Sequence, residues 1–124
     1  MTGPAAVPAC DVLYADVRRR DPVRPAVLVD VREPDEVADV RADGARIHVP
    51  FSTASQHLDE IPRDQPVLVI CAAGSRSQAV AAHLLANGWS DVANVAGGMN
   101  AWERAGLPVR HGAYLGPEDP DPFT

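Results

Sequence analysis

Apolar and polar positions alternate along the chain in two rhythms, one of short continuous runs and one of helical spacing. From Ala9 to Arg20 the spacing of Val12, Leu13, Asp16 and Val17 predicts a first amphipathic helix, which Asp21-Pro22 and Pro25 end. Val27 to Val31 is a short apolar run rich in β-branched residues, the pattern of a strand covered on both faces. Glu33-Pro34-Asp35-Glu36 reads as the first turn of a short helix, with proline and acids where the helix dipole favours them. Ala45 to Val49 predicts a second short strand closed by Pro50, and Ser52 or Thr53 a cap for a helix running to about Ile61. Val67-Leu68-Val69-Ile70 is the strongest strand, followed after Cys71–Arg76 by an Ala/Leu-rich helix from Ser77 to Ala86 that Asn87-Gly88 stops. Val92 to Val95 reads as a further strand, Gly97-Gly98 as a turn, and Met99 to Ala105 as a last helix ended by Gly106-Leu107-Pro108.

Strands that alternate with helices imply right-handed crossovers and a largely parallel sheet, so the fold class is α/β. With 124 residues the chain suits one domain, expected over residues 9–110, with flexible termini at 1–8 and 112–124 where Gly, Pro and acids show little periodicity. A hydrophobic fraction of 46% with 23% charged residues is that of a globular protein, and aromatics at 5% leave the core to aliphatic residues. No apolar run approaches the roughly 20 residues of a membrane span, and the start carries no basic segment before an apolar one, so the expectation is a cytoplasmic protein without a membrane partner. A net charge of -6 argues against nucleic acid. Arg18, Arg19 and Arg20 would spread around most of a helix and read as a solvated face.

Two cysteines, Cys10 and Cys71, need no disulfide in such a chain, which leaves room for a working thiol. Cys71 directly follows the strongest strand, where α/β sheets bind ligands. Small residues let Ala72-Ala73-Gly74-Ser75-Arg76 curve tightly, with Gly74 able to take a positive φ, so that successive N–H groups can converge on the sulfur. The next helix, beginning near Ser77, adds the positive end of its dipole and Arg76 a full charge, and each favours thiolate over thiol. A cysteine that ends a strand can be merely buried, but a Gly, two Ser and an Arg immediately downstream are poor core material. His48, His57, His83 and His111 lack metal-ligand spacing, and neither metal nor organic cofactor is expected.

LVDVRE at Leu28–Glu33, VICAAGSRS at Val69–Ser77 and GGMNAW at Gly97–Trp102 resemble, in order and spacing, the signatures of a single rhodanese domain. The resemblance spans roughly Asp11 to Pro108 and implies a mainly parallel five-stranded sheet with helices on both faces. It departs before the second strand, where Val40-Arg41-Ala42-Asp43-Gly44-Ala45 replaces a Gly-His-Ile-Pro-Gly-Ala-like stretch. It implies that Cys71 is the catalytic residue, taking a sulfane sulfur as a persulfide within the loop Ala72, Ala73, Gly74, Ser75 and Arg76. Asp30 and Arg32 would brace neighbouring loops, with Ser77 as a further supporting residue, and Gly97-Gly98 with Trp102 would form a turn and a packing anchor.

The expected reaction is a double displacement in which Cys71 attacks the outer sulfur of a donor and a second nucleophile regenerates it, with no general base because the loop keeps the cysteine ionised. The expected partners are a small sulfur donor such as thiosulfate, or a persulfide-bearing protein, and a thiol or cyanide acceptor. Cysteine phosphatases and arsenate reductases resemble Cys-x5-Arg, whereas this chain has Cys-x4-Arg with Ser77 one place later. The other alternative is a non-catalytic binding or redox-sensing module.

Overall fold

Val67 to Ile70 form a strand whose four consecutive apolar residues are all buried, which requires cover on both faces of the sheet. In the computed structural model, which describes residues 6–117, that strand is the middle of the sheet. The elements in chain order are β1 (Ala9–Cys10), α1 (Val12–Arg19), β2 (Val27–Asp30), α2 (Pro34–Asp39), β3 (Arg41–Ala42), β4 (Ile47–His48), β5 (Val67–Ile70), α3 (Ser75–Ala86), β6 (Val92–Val95), α4 (Gly98–Arg104) and β7 (Val109–Arg110). The five-stranded sheet has the order β1-β6-β5-β2-β4 with every pair parallel, as an α/β chain of this pattern should. Asp30 lies level with both Ile70 and His48, so β2, β4 and β5 end together and their loops meet above one edge.

The period-two alternation of strand side chains sorts the core into two halves. Leu28, Leu68, Ile70 and Val95 pack beneath α1 and α4 with Val12, Ala15, Met99 and Trp102. Val29, Val67 and Val69 face α3 with Val80, Ala81 and Leu84, joined by Ile61 and Trp89. Burying one such aliphatic side chain contributes about 1.5–3 kcal/mol. Cys71 continues the alternation onto the α3 face, which aims its sulfur at the start of that helix.

Several sequence expectations shift. The segment from Ala9 splits into the edge strand β1 and the helix α1, because the Asp11 side chain caps the helix by accepting the Tyr14 N–H at 2.8 Å. Leu13 and Val17, assigned to an inward face, are exposed. The inward positions are Val12, Ala15 and Asp16, whose carboxylate binds Arg19 at 2.8 Å and also holds Arg20. The Arg18–Arg20 cluster is therefore not a uniformly solvated face: the Arg19 side chain is 7% exposed and its guanidinium lies 4.9 Å from the Trp102 ring centre. The stretch expected as a helix to Ile61 forms two 3-10 helices, Phe51–Gln56 and Leu58–Glu60.

The short strands β3 and β7 pair antiparallel beside the main sheet, with Arg41 fully buried where the 40–45 segment departs from the rhodanese pattern. Within the tail from Gly112, expected to be flexible, two contacts tie the chain to the domain while Leu115 stays exposed. Arg41 donates to Gly112 O at 2.8 Å, and buried Tyr114 binds His48 Nδ1 at 2.7 Å. The remainder of the expected flexible tail, 118–124, and residues 1–5 lie outside the described residues. Among the described residues no helix is long and apolar enough to cross a membrane.

Candidate active site

Cys71 leaves β5 into a loop that closes on its own sulfur. Gly74 takes φ +114°, a left-handed conformation that favours glycine, and its N–H donates to Cys71 Sγ at 3.0 Å. The loop carbonyls turn the other way: Met99 N–H donates to Cys71 O at 2.8 Å and Asn100 N–H to Ala72 O at 3.0 Å, at the start of α4. Because N–H and C=O point oppositely across a trans peptide, anchoring these carbonyls on α4 helps turn the loop amides toward the sulfur. Gly98 makes this approach feasible, since a Cβ there would collide with both carbonyls. The expected turn at Gly97-Gly98 is thus also the loop's backing, and Trp102, fully buried, anchors it by donating to Pro108 O at 3.0 Å.

The helix α3 begins at Ser75 rather than near Ser77, so Ser75 and Arg76 belong to its first turn. Ser77 is fully buried and its Oγ lies 3.2 Å from Cys71 Sγ. The same hydroxyl donates to Asn94 Oδ1 at 2.6 Å, and Asn94 Nδ2 donates to Gly74 O at 3.2 Å, tying loop and helix to β6. While Ser77 gives its proton to Asn94, a Cys71 thiol can donate to Ser77; once the sulfur ionises, the hydroxyl can turn its proton to the sulfur instead. Burial pushes the Cys71 thiol up, but the Ser77 hydroxyl and the N–H groups of Ser77, Gly74 and Ala73 outweigh it, and the net pKa is lowered.

Arg76 interacts with the sulfur through its charge, while its hydrogen bonds go elsewhere. Its guanidinium is gripped in a fork by Glu36 of α2, Nη1 to Oε1 at 2.7 Å and Nη2 to Oε2 at 2.9 Å. Glu36 Oε1 also accepts the Glu33 N–H at 3.0 Å. The Arg76 hydrogen bonds, working against burial and aided by the Glu33 N–H, hold the Glu36 carboxyl down to about 2, and the pairing raises Arg76. Of the remaining loop residues, Ala72 is half-buried, Ala73 and Ser75 are exposed, and none carries charge.

Asp30 and Arg32 form a buried ion pair, with Arg32 Nη2 2.8 Å from Asp30 Oδ2 and 2.8 Å from Val40 O. The pair ties the end of β2 to the end of α2. Glu33 reaches the other way, accepting the Ser52 hydroxyl at 2.6 Å and the Ser52 N–H at 3.1 Å. Cys10 is half-buried in β1, and burial, followed by the Asp11 charge, raises its pKa. His48 is locked between Tyr114 and Arg32 O, and among the described residues no cluster of His, Cys, Asp or Glu could hold a metal ion.

The sequence did not point to Asn94 or Glu36 as site residues. A lone polar residue within Val92–Val95 is the available signal for Asn94, since a strand covered on both faces must satisfy any polar group it buries. Glu36 carries no local signal, because its partner Arg76 lies 40 residues away.

A family model described as Rhodanese-like domain matches residues 11–105. A protein of Allochromatium vinosum named Sulfurtransferase is 37% identical over 83 residues, 67% of this chain and 77% of its own length. The Thiosulfate sulfurtransferase GlpE of Actinobacillus succinogenes is 39% identical over 84 residues, 68% and 75% of the two chains. Among solved structures, the crystal structure of a rhodanese-like domain protein from Staphylococcus aureus superposes with a TM-score of 0.69 at 27% identity, covering 88% of this chain and 97% of that one.

Proposed function

The chain belongs to the rhodanese-like domain family, and from that premise we propose that it is a sulfurtransferase that carries a sulfane sulfur as a persulfide on Cys71. The observation that carries this reading is the Gly74 N–H at 3.0 Å from Cys71 Sγ, in a short loop that closes on the sulfur. Sulfurtransferases among the relatives support the reaction class, and GlpE supports thiosulfate as a competent donor. The Cys71 thiolate attacks the outer sulfur of thiosulfate, the S–S bond of the donor breaks, and sulfite leaves with the electron pair. Cys71 is 1% exposed, so the donor inserts its terminal sulfur while its remainder stays outside. The loop amides then stabilise the negative charge of the persulfide, and a thiol or cyanide removes its outer sulfur and restores the thiolate. Asp30 and Arg32 hold the β2 and α2 ends in place beside the loop, and Ser77 supplies a hydroxyl to the sulfur.

The loop length favours sulfur over phosphate chemistry, because Cys-x4-Arg closes on a single atom where a tetrahedral oxyanion needs a wider ring of amides. Intact-mass spectrometry after incubation with thiosulfate should show the mass of one added sulfur atom, lost in Cys71→Ala and retained in Cys10→Ala. Subsequent addition of a thiol should remove it. An adduct that persists in Cys71→Ala would contradict the reading, and an adduct that no thiol or cyanide discharges would favour a redox-sensing module.

A further inference from the structure

We infer that Glu36 is a specificity-determining residue of the sulfur-transfer site: by gripping Arg76 it cancels the charge that would hold a dianion and turns the site toward persulfide donors carrying little or no negative charge. The inference rests on the sulfur-transfer reading of Cys71 and names its donor class.

The argument is a local charge balance. Thiosulfate brings two negative charges to a loop whose own residues, Ala72, Ala73, Gly74 and Ser75, offer none of opposite sign. Arg76 is the loop's cation, and both of its terminal nitrogens are committed to Glu36 at 2.7 and 2.9 Å in the geometry that binds carboxylate best. A dianion approaching Arg76 meets the charge of that carboxylate as well, with Glu33 adding a further negative charge that Arg76 feels. Arg32 offers no substitute, because it is buried against Asp30 with side-chain exposures of 3% and 2%. The whole chain, at -6, gives no long-range attraction either.

A persulfide R–S–SH carries at most one negative charge, and its protonated form meets none of this opposition. The Cys71 thiolate bonds to its outer sulfur, the donor S–S bond breaks, RS⁻ leaves with the electron pair, and the proton stays on the transferred sulfur. The loop amides that hold the sulfur act on the reacting atoms and need no cation at the rim.

Glu36→Gln removes the charge while leaving an oxygen to accept the Glu33 N–H, so the start of α2 keeps that bond. Steady-state kinetics with thiosulfate should show KM falling on the order of fivefold while kcat changes little, because a released Arg76 adds binding that is equal in ground and transition states. With an uncharged alkyl persulfide as donor, KM should move far less. The sign of the salt dependence is a second reading that needs no variant. In the unmodified protein KM for thiosulfate should fall as ionic strength rises, since screening relieves repulsion, whereas in Glu36→Gln it should rise. If the unmodified protein's KM rises or stays flat with salt, or if Glu36→Gln loads Cys71 from thiosulfate with an unchanged KM, the inference fails while sulfur transfer stands. If neither donor places sulfur on Cys71, the underlying reading fails.

Discussion

Cys10 closes β1 and Cys71 follows β5, so each thiol stands at the carboxyl end of a parallel strand with a helix beginning a few residues on. Position and helix dipole would treat them alike, yet Cys10 is raised and Cys71 lowered. The difference lies in what occupies the amides between strand and helix. After Cys10 the chain enters α1 at once, and the Asp11 carboxylate takes the Tyr14 N–H while adding a negative charge beside the thiol. After Cys71 three residues intervene, the cap is Gly74 without a side chain, and its N–H and the Ser77 hydroxyl are left for the sulfur. A helix N-terminus thus activates a cysteine only when its donors are unclaimed and the chain folds back to present them.

The sharpest way to break this contrast is to remove the hydroxyl on the Cys71 side. Ser77→Ala should raise the Cys71 pKa, shift the pH profile of sulfur loading to more alkaline values and slow loading at neutral pH. It also leaves buried Asn94 Oδ1 without the Ser77 donor, at a cost of about 1–3 kcal/mol in urea unfolding. An unshifted loading profile would remove Ser77 from the account of ionisation. The complementary change on the Cys10 side is smaller. Asp11→Ala should cost about 1 kcal/mol through loss of the cap and should lower the Cys10 pKa, because burial alone then raises it, while the Cys71 profile stays in place. Equal shifts at both cysteines would mean that Asp11 acts through the field of the whole chain and not through its local contact.

The same contrast explains what the sequence made legible. The strands β2, β5 and β6 could be read because four-residue runs of mainly apolar side chains have few other uses in a chain of this size. Cys71 and its loop were legible because small residues between such a strand and a helix fit little else. The edge strand β1 and the pair β3 and β7 were not, since two-residue strands carry no period and depend on partners distant in sequence. The inward face of α1 was misread because Asp16 and Arg19 satisfy each other and can be buried while Leu13 and Val17 face outward. Arg76 was visible as a charge but its recipient was not, because only the fold brings Glu36 of α2 against the first turn of α3. Tyr114 was lost in a stretch of Gly and Pro, and its burial and its bond to His48 reveal it as part of the packed structure.

The central claim is that the loop, and not strand-end position, makes Cys71 the reactive thiolate, and its most direct test is a titration of each thiolate by ultraviolet absorbance. Cys10→Ala reports Cys71 alone and Cys71→Ala reports Cys10 alone. A group whose folded pKa is lowered ionises at lower pH than in the unfolded chain, and one whose pKa is raised ionises at higher pH. Cys71 should therefore ionise below the range of an ordinary thiol and below its own value in urea, and Cys10 above its value in urea. Coincident titrations of the two cysteines, or a folded Cys71 that ionises at or above its unfolded value, would contradict the account.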